Sequence, residues 1–553
     1  MKKFRTKLPY IILSACAFLL LIRAFFGFCS SDEPFYLSTT KRLFEGDLIF
    51  VHEWFPTKLS SIVLLPFYAL FVTLTGSTAG IILYFRILYI AVTLVISIIS
   101  FRIIRSQYTV AAAMSVSLFM LFYAHLNIAT LSYYTMSFEF FVFAMLLFSL
   151  RKKIPTIIGG FMLALSVLAL PSLVIGVILL WLTAFAFSIR KKELRSLLFF
   201  SAAGMATALL LFVIYLYVSG NSLQNLLKYL PYVLADDEHQ TSLVAPFRKF
   251  FDSVTDVYGP LWYSSFALAA LGLLSNRYKK MIPWIFTADC MFFLYCAVLS
   301  IGHTGYMNTA LALFCAPIFF MCEKKDLYAF ISLFLGGLIV SMTYSYSSNG
   351  ELYVLSIGHG IAGVAGILFI SEFMQENNKI FHHTLVAMIA IFLLPTMILR
   401  FVNVYRDAPL GVLDTKIEAG PAAGLFTTRE HHDIYMSVLS DIDRYKIGHD
   451  HILFSKLLPW GYLACEAKTA APSTWRNMIQ SERLAGYYEL NPEKTPDLVF
   501  VLNSYVGSFD SCGDIEADPA PNSNDFSGPV ADMLESGSYD RIESRDCTIY
   551  VRR

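Results

Sequence analysis

Charge is scarce in this chain. Asp, Glu, Lys and Arg make up 15% of 553 residues while hydrophobic residues make up 56%, which is more apolar surface than one soluble core can bury. There is no basic excess either, with 42 Lys+Arg against 41 Asp+Glu, so nothing points to nucleic acid as a partner. Nine cysteines occur without zinc or redox spacing, and Cys16, Cys290, Cys296 and Cys315 lie in apolar runs. A clear small-residue cleavage site is missing after the first apolar run, Leu8 to Phe28, which is about 20 residues long and excludes a removed signal peptide in favour of a first span. No repeated pair of halves with broken helices is visible, which argues against a secondary transporter.

What is present is a series of apolar runs long enough to cross a bilayer, so the fold class is a polytopic α-helical membrane protein. The spans fall at 8–28, 79–101, 108–125, 132–150, 154–170, 172–189, 196–218, 261–275, 281–301, 305–321, 327–343, 353–373 and 383–401, about 13 in all. Leu59 to Gly76, interrupted by Pro66, is assigned to the interface. Were it a span, Arg102, Arg105 and every later basic cluster would lie outside. With this choice the cytoplasmic turns hold Arg102 and Arg105, Arg151-Lys152-Lys153, Arg190-Lys191-Lys192, Arg277 with Lys279 and Lys280, and Lys324-Lys325, while the short opposite loops carry no Lys or Arg. The localisation expected is multi-pass in the cell (plasma) membrane, with the N-terminus in the cytoplasm.

Three external loops collect polar residues. Loop 29–78 holds Asp32, Glu33, Glu45, Asp47, His52, Glu53 and Lys58. Loop 219–260 holds Asp236-Asp237-Glu238-His239 and is broken into short pieces by Pro231 and Pro246. The turn Gly302-His303-Thr304-Gly305 completes the set. After the membrane module, 1–401, residues 402–553 form a soluble α/β domain on the outer side. Strands are expected at His451 to Ser455, Asp497 to Leu502 and Cys547 to Val551, with a helical stretch from Leu458 to Ala467. Cys465, Cys512 and Cys547 share that domain; Cys512 and Cys547 are one candidate pair.

The residues of the first external loop carry a resemblance. An external acidic pair followed by an aromatic (Asp32-Glu33-Pro34-Phe35-Tyr36), then Gly46-Asp47, then Trp54-Phe55-Pro56-Thr57-Lys58, with Arg86 near the outer start of the second span, resembles the GT-C superfamily of integral membrane glycosyltransferases. Within it the chain is most similar to the branch of protein O-mannosyltransferases and lipid A aminoarabinose transferases. The resemblance implies transfer of a sugar from a polyprenyl-phosphate carrier to a glycan, lipid or protein acceptor on the outer face. It places the family's acidic residue on Asp32, with Glu33 beside it, and the phosphate-contacting lysine on Lys58. Thr57 stands where that branch has Glu, and Leu131-Ser-Tyr-Tyr-Thr-Met-Ser lacks the acid many members carry. A divalent metal ion is therefore compatible with the resemblance but assigned to no residue.

These residue types suit the chemistry. Attack of a hydroxyl on an anomeric carbon needs a carboxylate to take the proton, and cations stabilise the departing phosphate. Asp32 is the expected base, Lys58 and Arg86 the phosphate contacts. Glu139, two turns inside the fourth span, and His303 are further substrate candidates, and Trp54, Tyr133 and Tyr134 are the aromatics placed to stack on sugar. Each has a structural alternative. Asp32 also suits a helix cap, Lys58 a headgroup anchor and Arg86 a snorkelling side chain. Asp289, near mid-membrane, suits a structural hydrogen bond, and Asp236 to His239 a solvated acidic loop. A transporter or lipid flippase of envelope glycans is the rival function.

Overall fold

The computed structural model describes residues 2–55, 59–188, 192–234, 245–347, 352–377, 379–455, 458–475, 481–503 and 526–553. Long apolar stretches without interior charge form helices here because lipid leaves backbone N–H and C=O groups no partner but each other. Helices α1 (Lys2–Arg23), α2 (Asp32–Phe44), α3 (Ser60–Thr75), α4 (Ile81–Arg105), α5 (Val110–Phe122) and α6 (Tyr133–Ser149) come first. They are followed by α7 (Lys153–Ala169), α8 (Leu173–Ser188), α9 (Lys192–Val218), α10 (Leu223–Leu234), α11 (Ala245–Tyr258), α12 (Ser264–Ser275), α13 (Ile282–Leu299) and α14 (Thr304–Met321). A short α15 (Leu327–Ala329) runs through a π turn at Phe330–Leu335 into α16 (Gly336–Ser347), and α17 (Leu352–Glu376) and α18 (Lys379–Val402) close the bundle. Among the described residues seven helices are long and apolar enough to cross a membrane, and six shorter apolar helices accompany them. The architecture is that of a helical membrane protein.

The centre is α17, buried on every side from Val354 to Ser371. It packs that closely because small residues line its crossings. A Cβ on Gly358 would stand 2.2 Å from the Gly337 carbonyl oxygen of α16, the small-residue contact typical of helices in lipid, where backbone proximity replaces the hydrophobic effect as the adhesive. Gly160 of α7 and Gly204 of α9 do the same, with Cβ positions 2.1 Å from the Ser201 oxygen and 2.0 Å from the Ile157 oxygen.

Side-chain and backbone hydrogen bonds sort the two ends of the bundle. At one end Gln107 donates to Ser149, Tyr108 to Asp326, Lys279 to Glu323, and Glu376 accepts from the Glu323 and Lys324 amides. Arg105, Arg151 to Lys153, Lys280 and Lys325 lie in the turns at this basic end. At the other end the first loop meets the C-terminal region: Trp54 N–H donates to the Pro472 carbonyl, Gly80 N–H to Gly420 and the Thr78 hydroxyl to Leu463. Both ends of α3 sit here, since Ser61 donates to the Tyr36 carbonyl of α2 and Thr78 follows its C-terminus.

Several boundaries differ from the sequence expectation. The first helix stops at Arg23, where the guanidinium donates to the carbonyls of Phe26, Phe401 and Asn403 and turns the chain into the loop. Pro231 does not break the chain; it lies within α10, in the last turn, where its missing N–H forfeits a single bond. Leu170 is extended, so α7 and α8 are two helices. Asp236 to His239, Lys58 and Cys512 lie outside the described residues.

The C-terminal region holds a hairpin, β1 (Thr415–Lys416) with β2 (Phe426–Thr427), then α19 (Arg429–Tyr445) and a five-stranded mixed sheet. In chain order come β3 (His451–Phe454), α20 (Pro459–Leu463), β4 (Lys468–Thr469), α21 (Ser481–Leu490), β5 (Leu498–Leu502), α22 (Gly528–Glu535), β6 (Tyr539–Glu543) and β7 (Cys547–Arg552). The spatial order is β4-β3-β5-β7-β6, with β3 parallel to β4 and β5, and β7 antiparallel to both its neighbours. Leu498 to Leu502 is an unbroken apolar run because β5 is central and covered on both faces. Cys547 is a free thiol that donates to Asp441.

Candidate functional site

Ser31-Asp32-Glu33-Pro34 starts α2 as the residue types predict, with two carboxylates in the first turn and Pro34 near the start. The Asp32 carboxylate does not cap the helix, however. Tyr405 Oη donates to its Oδ2 at 2.7 Å and Arg406 Nη1 pairs with the same oxygen at 3.0 Å, while Arg406 also donates to Ser31 Oγ at 2.6 Å. Asp32 is 9% exposed. Burial, together with the Asp32 carboxylate, pushes the Tyr405 phenol well above its usual value, so it stays a donor. The neighbouring Cys29 thiol is pushed up to about 12 by burial, reinforced by Asp32 and Glu33, which removes it as a nucleophile.

Glu33 and Arg86 come together as a clamp. Arg86 Nε bonds both Glu33 oxygens at 3.1 Å and Nη2 bonds Oε2, while Nη1 and Nη2 also donate to the carbonyls of Ala24 and Gly27 at 2.8 Å. Glu33 further accepts from the Ala129 amide. All three guanidinium nitrogens are thus engaged, and the pair ties α1, α2, α4 and the α5–α6 linker into one corner.

Tyr405 and Arg406 also line a chamber of about 810 Å³ at the loop end of the bundle, together with Tyr123, His125, His303 and Tyr353. Asp32 lies behind these two side chains. His303 is exposed at the chamber wall and stacks on Tyr306 with ring centroids 4.6 Å apart. Three chamber residues hold left-handed backbone conformations: Leu126 and Asn127 at φ 50° and 65°, and Arg406 at φ 50°. Such conformations cost about 1–3 kcal/mol each in non-glycine residues and cluster at functional sites.

Beside the chamber is a small recess lined by Arg23, Glu33, Arg86, Asn127, Arg400 and Tyr405. Arg400 is 6% exposed, donates to Asn127 through Nη1, and among the described residues leaves its Nε without a partner. Among the described residues neither Arg23 nor Arg400 lies within ion-pair distance of a carboxylate, unlike Arg86 and Arg406. Two cations with no carboxylate in ion-pair contact among the described residues, partly or wholly removed from water, make this corner receptive to an anion even with Glu33 nearby. These two arginines, with Tyr405 and Arg406, were not picked out by sequence pattern. Arg400 carried a signal nonetheless, as a charge at the end of an apolar run.

Other expected residues lie elsewhere. Trp54 is 2% exposed, stacks on Tyr232, meets Tyr487 edge-on, and carries Arg483 over its ring at 5.7 Å. It belongs to the contact between loop and C-terminal region. Tyr133 packs against Tyr36 and Tyr134 near the start of α6. Glu139 is 3% exposed inside the bundle. Asp47 and Glu53 of the loop enclose Arg42, at 2.8 Å each, and Asp47 also receives Lys494 of the C-terminal region at 2.5 Å. Burial opposes ionisation of Asp47, but Arg42 and Lys494 outweigh it and hold the group at about 2. Burial lowers His52 to about 4 despite Asp47 beside it.

Among the described residues no three His, Cys, Asp or Glu side chains converge in a set able to hold a metal ion. No protein-family model matches the chain, and no curated protein sequence matches it.

Proposed function

We propose that the protein is a GT-C type glycosyltransferase that moves a sugar from a polyprenyl-phosphate donor to a glycan, lipid or protein acceptor at the outer face of the membrane. In this reading about thirteen segments cross, the basic end faces the cytoplasm, and the loop end with residues 402–553 faces outward. The observation that carries the proposal is the Asp32 carboxylate held by Tyr405 and Arg406, the two side chains that stand between it and the loop-end chamber. Next to it lie the cations Arg23 and Arg400, which have no carboxylate partner among the described residues.

The acceptor hydroxyl attacks the anomeric carbon as the bond from that carbon to the phosphate oxygen breaks. Asp32 takes the hydroxyl proton, and the phosphate leaves as an anion. Arg406 is placed to exchange Asp32 for the developing phosphate charge, which frees the carboxylate at the moment it is needed, and Arg400 and Arg23 receive the rest of that charge. One displacement inverts the anomeric centre.

The test uses purified protein in lipid with radiolabelled polyprenyl-phosphate sugars and a membrane extract, comparing the parent with Asp32→Asn. Transfer is expected to fall by about 10²–10⁴-fold; undiminished transfer removes Asp32 as base.

A second reading, a transporter or lipid flippase, is favoured by one observation: Glu139 and Asp289 are carboxyls buried within the bundle with no hydrogen-bond partner. Donor movement across vesicles without label transfer to any acceptor would select it.

A further inference from the structure

We infer that Glu139 is a proton-binding site of the membrane bundle, reached from the loop-end chamber through the Tyr123 hydroxyl, with the Thr93 hydroxyl as the hydrogen-bond partner of the neutral acid. Glu139 sits on α6 two turns from its start, 3% exposed, with both carboxyl oxygens lacking a hydrogen bond. Thr93 of α4 stands alongside it, 1% exposed, its hydroxyl close enough to act on both Glu139 and Tyr89 but in no hydrogen bond of good geometry. Tyr123, at the end of α5, is 3% exposed, leaves its hydroxyl unpaired, and forms part of the chamber wall. Its charge-sensitive neighbours are Glu139, Tyr89 and Tyr344.

The charge state follows from what surrounds the carboxyl. Of the elements packed on α6, α4 contributes Tyr89 and Thr93, and Tyr89 donates to the Tyr123 carbonyl. The residue after α5, Tyr123, and Tyr344 of α16, whose hydroxyl bonds Ser137 of α6, complete the titratable groups. From α7, α17 and the π turn, no charged side chain among the described residues acts on Glu139. A carboxylate walled from water with no cation is not a stable arrangement. A neutral acid needs only one acceptor for its proton, and the Thr93 hydroxyl is the group beside it on α4 that can accept one.

The route is equally specific. Tyr123 is the group that belongs both to the chamber wall and to the neighbourhood of Glu139. Below Thr93, Ser97 and Ser100 continue the same face of α4 toward the basic end, both fully buried and both with unpaired hydroxyls. Buried polar groups are normally satisfied, so a run of unsatisfied ones beginning at a chamber and passing an acid marks a path for protons. Asp289 supplies the contrast. It is as buried and as unpaired, but its neighbours are the thiols of Cys290, Cys296 and Cys315, and none of these lines the chamber. The inference stands whether the protein transfers or transports its substrate.

Infrared difference spectroscopy on protein in lipid, parent against Glu139→Gln, tests it over about pH 5 to 9. The expected result is a carbonyl band of a protonated carboxylic acid that is lost in Glu139→Gln, retained in Asp289→Asn, and shifted in Thr93→Val. Transfer into D₂O should shift that band, several-fold more slowly in Tyr123→Phe. The Thr93→Val shift is read on a chain that keeps Glu139, so it decides the matter even where Glu139→Gln folds poorly. Absence of any Thr93- or Glu139-dependent band throughout the range overturns the site, as does a carboxylate that binds Na⁺ instead. Exchange unchanged in Tyr123→Phe overturns the route.

Discussion

At the scale of single residues, the two neighbouring acids of the first loop have separable roles. Asp32 meets a phenol and a guanidinium that both also face the chamber, whereas Glu33 is spent on Arg86 and the Ala129 amide. Asp32→Asn is therefore expected to lose transfer with little change in thermal unfolding. Glu33→Gln leaves Arg86 buried without its counter-charge and should cost about 3–5 kcal/mol of stability, visible as a lowered melting temperature in detergent. Equal melting temperatures for the two variants would contradict this division. Arg400→Met removes a buried cation and nothing that another acid requires. Loss of a charge-assisted bond to phosphate, about 1.5–3 kcal/mol, predicts a rise of roughly 10- to 100-fold in KM for the lipid donor, measured by the same transfer assay, with unfolding unchanged. The sequence made Asp32 conspicuous because charges collect in its loop between runs that otherwise carry few. It gave no sign of Tyr405 and Arg406, which reach Asp32 and Ser31 from more than 370 residues away.

At the scale of elements, the apolar runs were legible because lipid enforces helices, and the proline between Leu170 and Ser172 marked a true break between α7 and α8. Pro231 misled because α10 carries on through it despite the lost backbone bond. The C-terminal strands β3, β5 and β7 stood out as apolar runs, while β4 and β6 are too short or too polar to do so. What no periodicity reveals is how helices approach one another, since that depends on which glycines face which backbone. Gly358 of α17 faces the Gly337 oxygen, the Ser341 amide and the Ser341 hydroxyl within 2.5 Å of a notional Cβ. Gly358→Val therefore forces α16 and α17 apart at the centre of the bundle. Overpacking of this kind costs about 1–3 kcal/mol, and more here because the obstacles are backbone atoms. The expected outcome is a lower melting temperature and reduced yield of monodisperse protein. Gly411→Ala, where a Cβ meets nothing within 4 Å, serves as the neutral comparison.

At the scale of the whole molecule, the charge asymmetry between turns was readable directly, but the docking of the C-terminal region onto the first loop was not. That dock is a buried ionic cluster drawn from distant segments: Arg42, Asp47, His52 and Glu53 from the loop, and Lys494 from the far region. Its geometry predicts how the dock responds to acid. His52 has a folded value of about 4 against an ordinary 6.5, so between those values the undocked state binds more protons than the docked one. Stability is then whole above pH 6.5 and declines as pH falls toward 4, by up to about 3 kcal/mol for a side chain only 17% exposed. Asp47, held at about 2 against an ordinary 3.8, adds a second loss as pH falls from about 4 to 2, when protonation ends its pairing with Arg42 and Lys494. Protection factors of the β5 and α21 amides, corrected for the intrinsic pH dependence of exchange, should therefore fall in two steps on acidification while those of α17 stay high. His52→Gln should remove the step between pH 6.5 and 4 and leave the lower one. Protection factors in β5 and α21 that are flat from pH 7 to about 4 would show that the buried imidazole does not govern the dock.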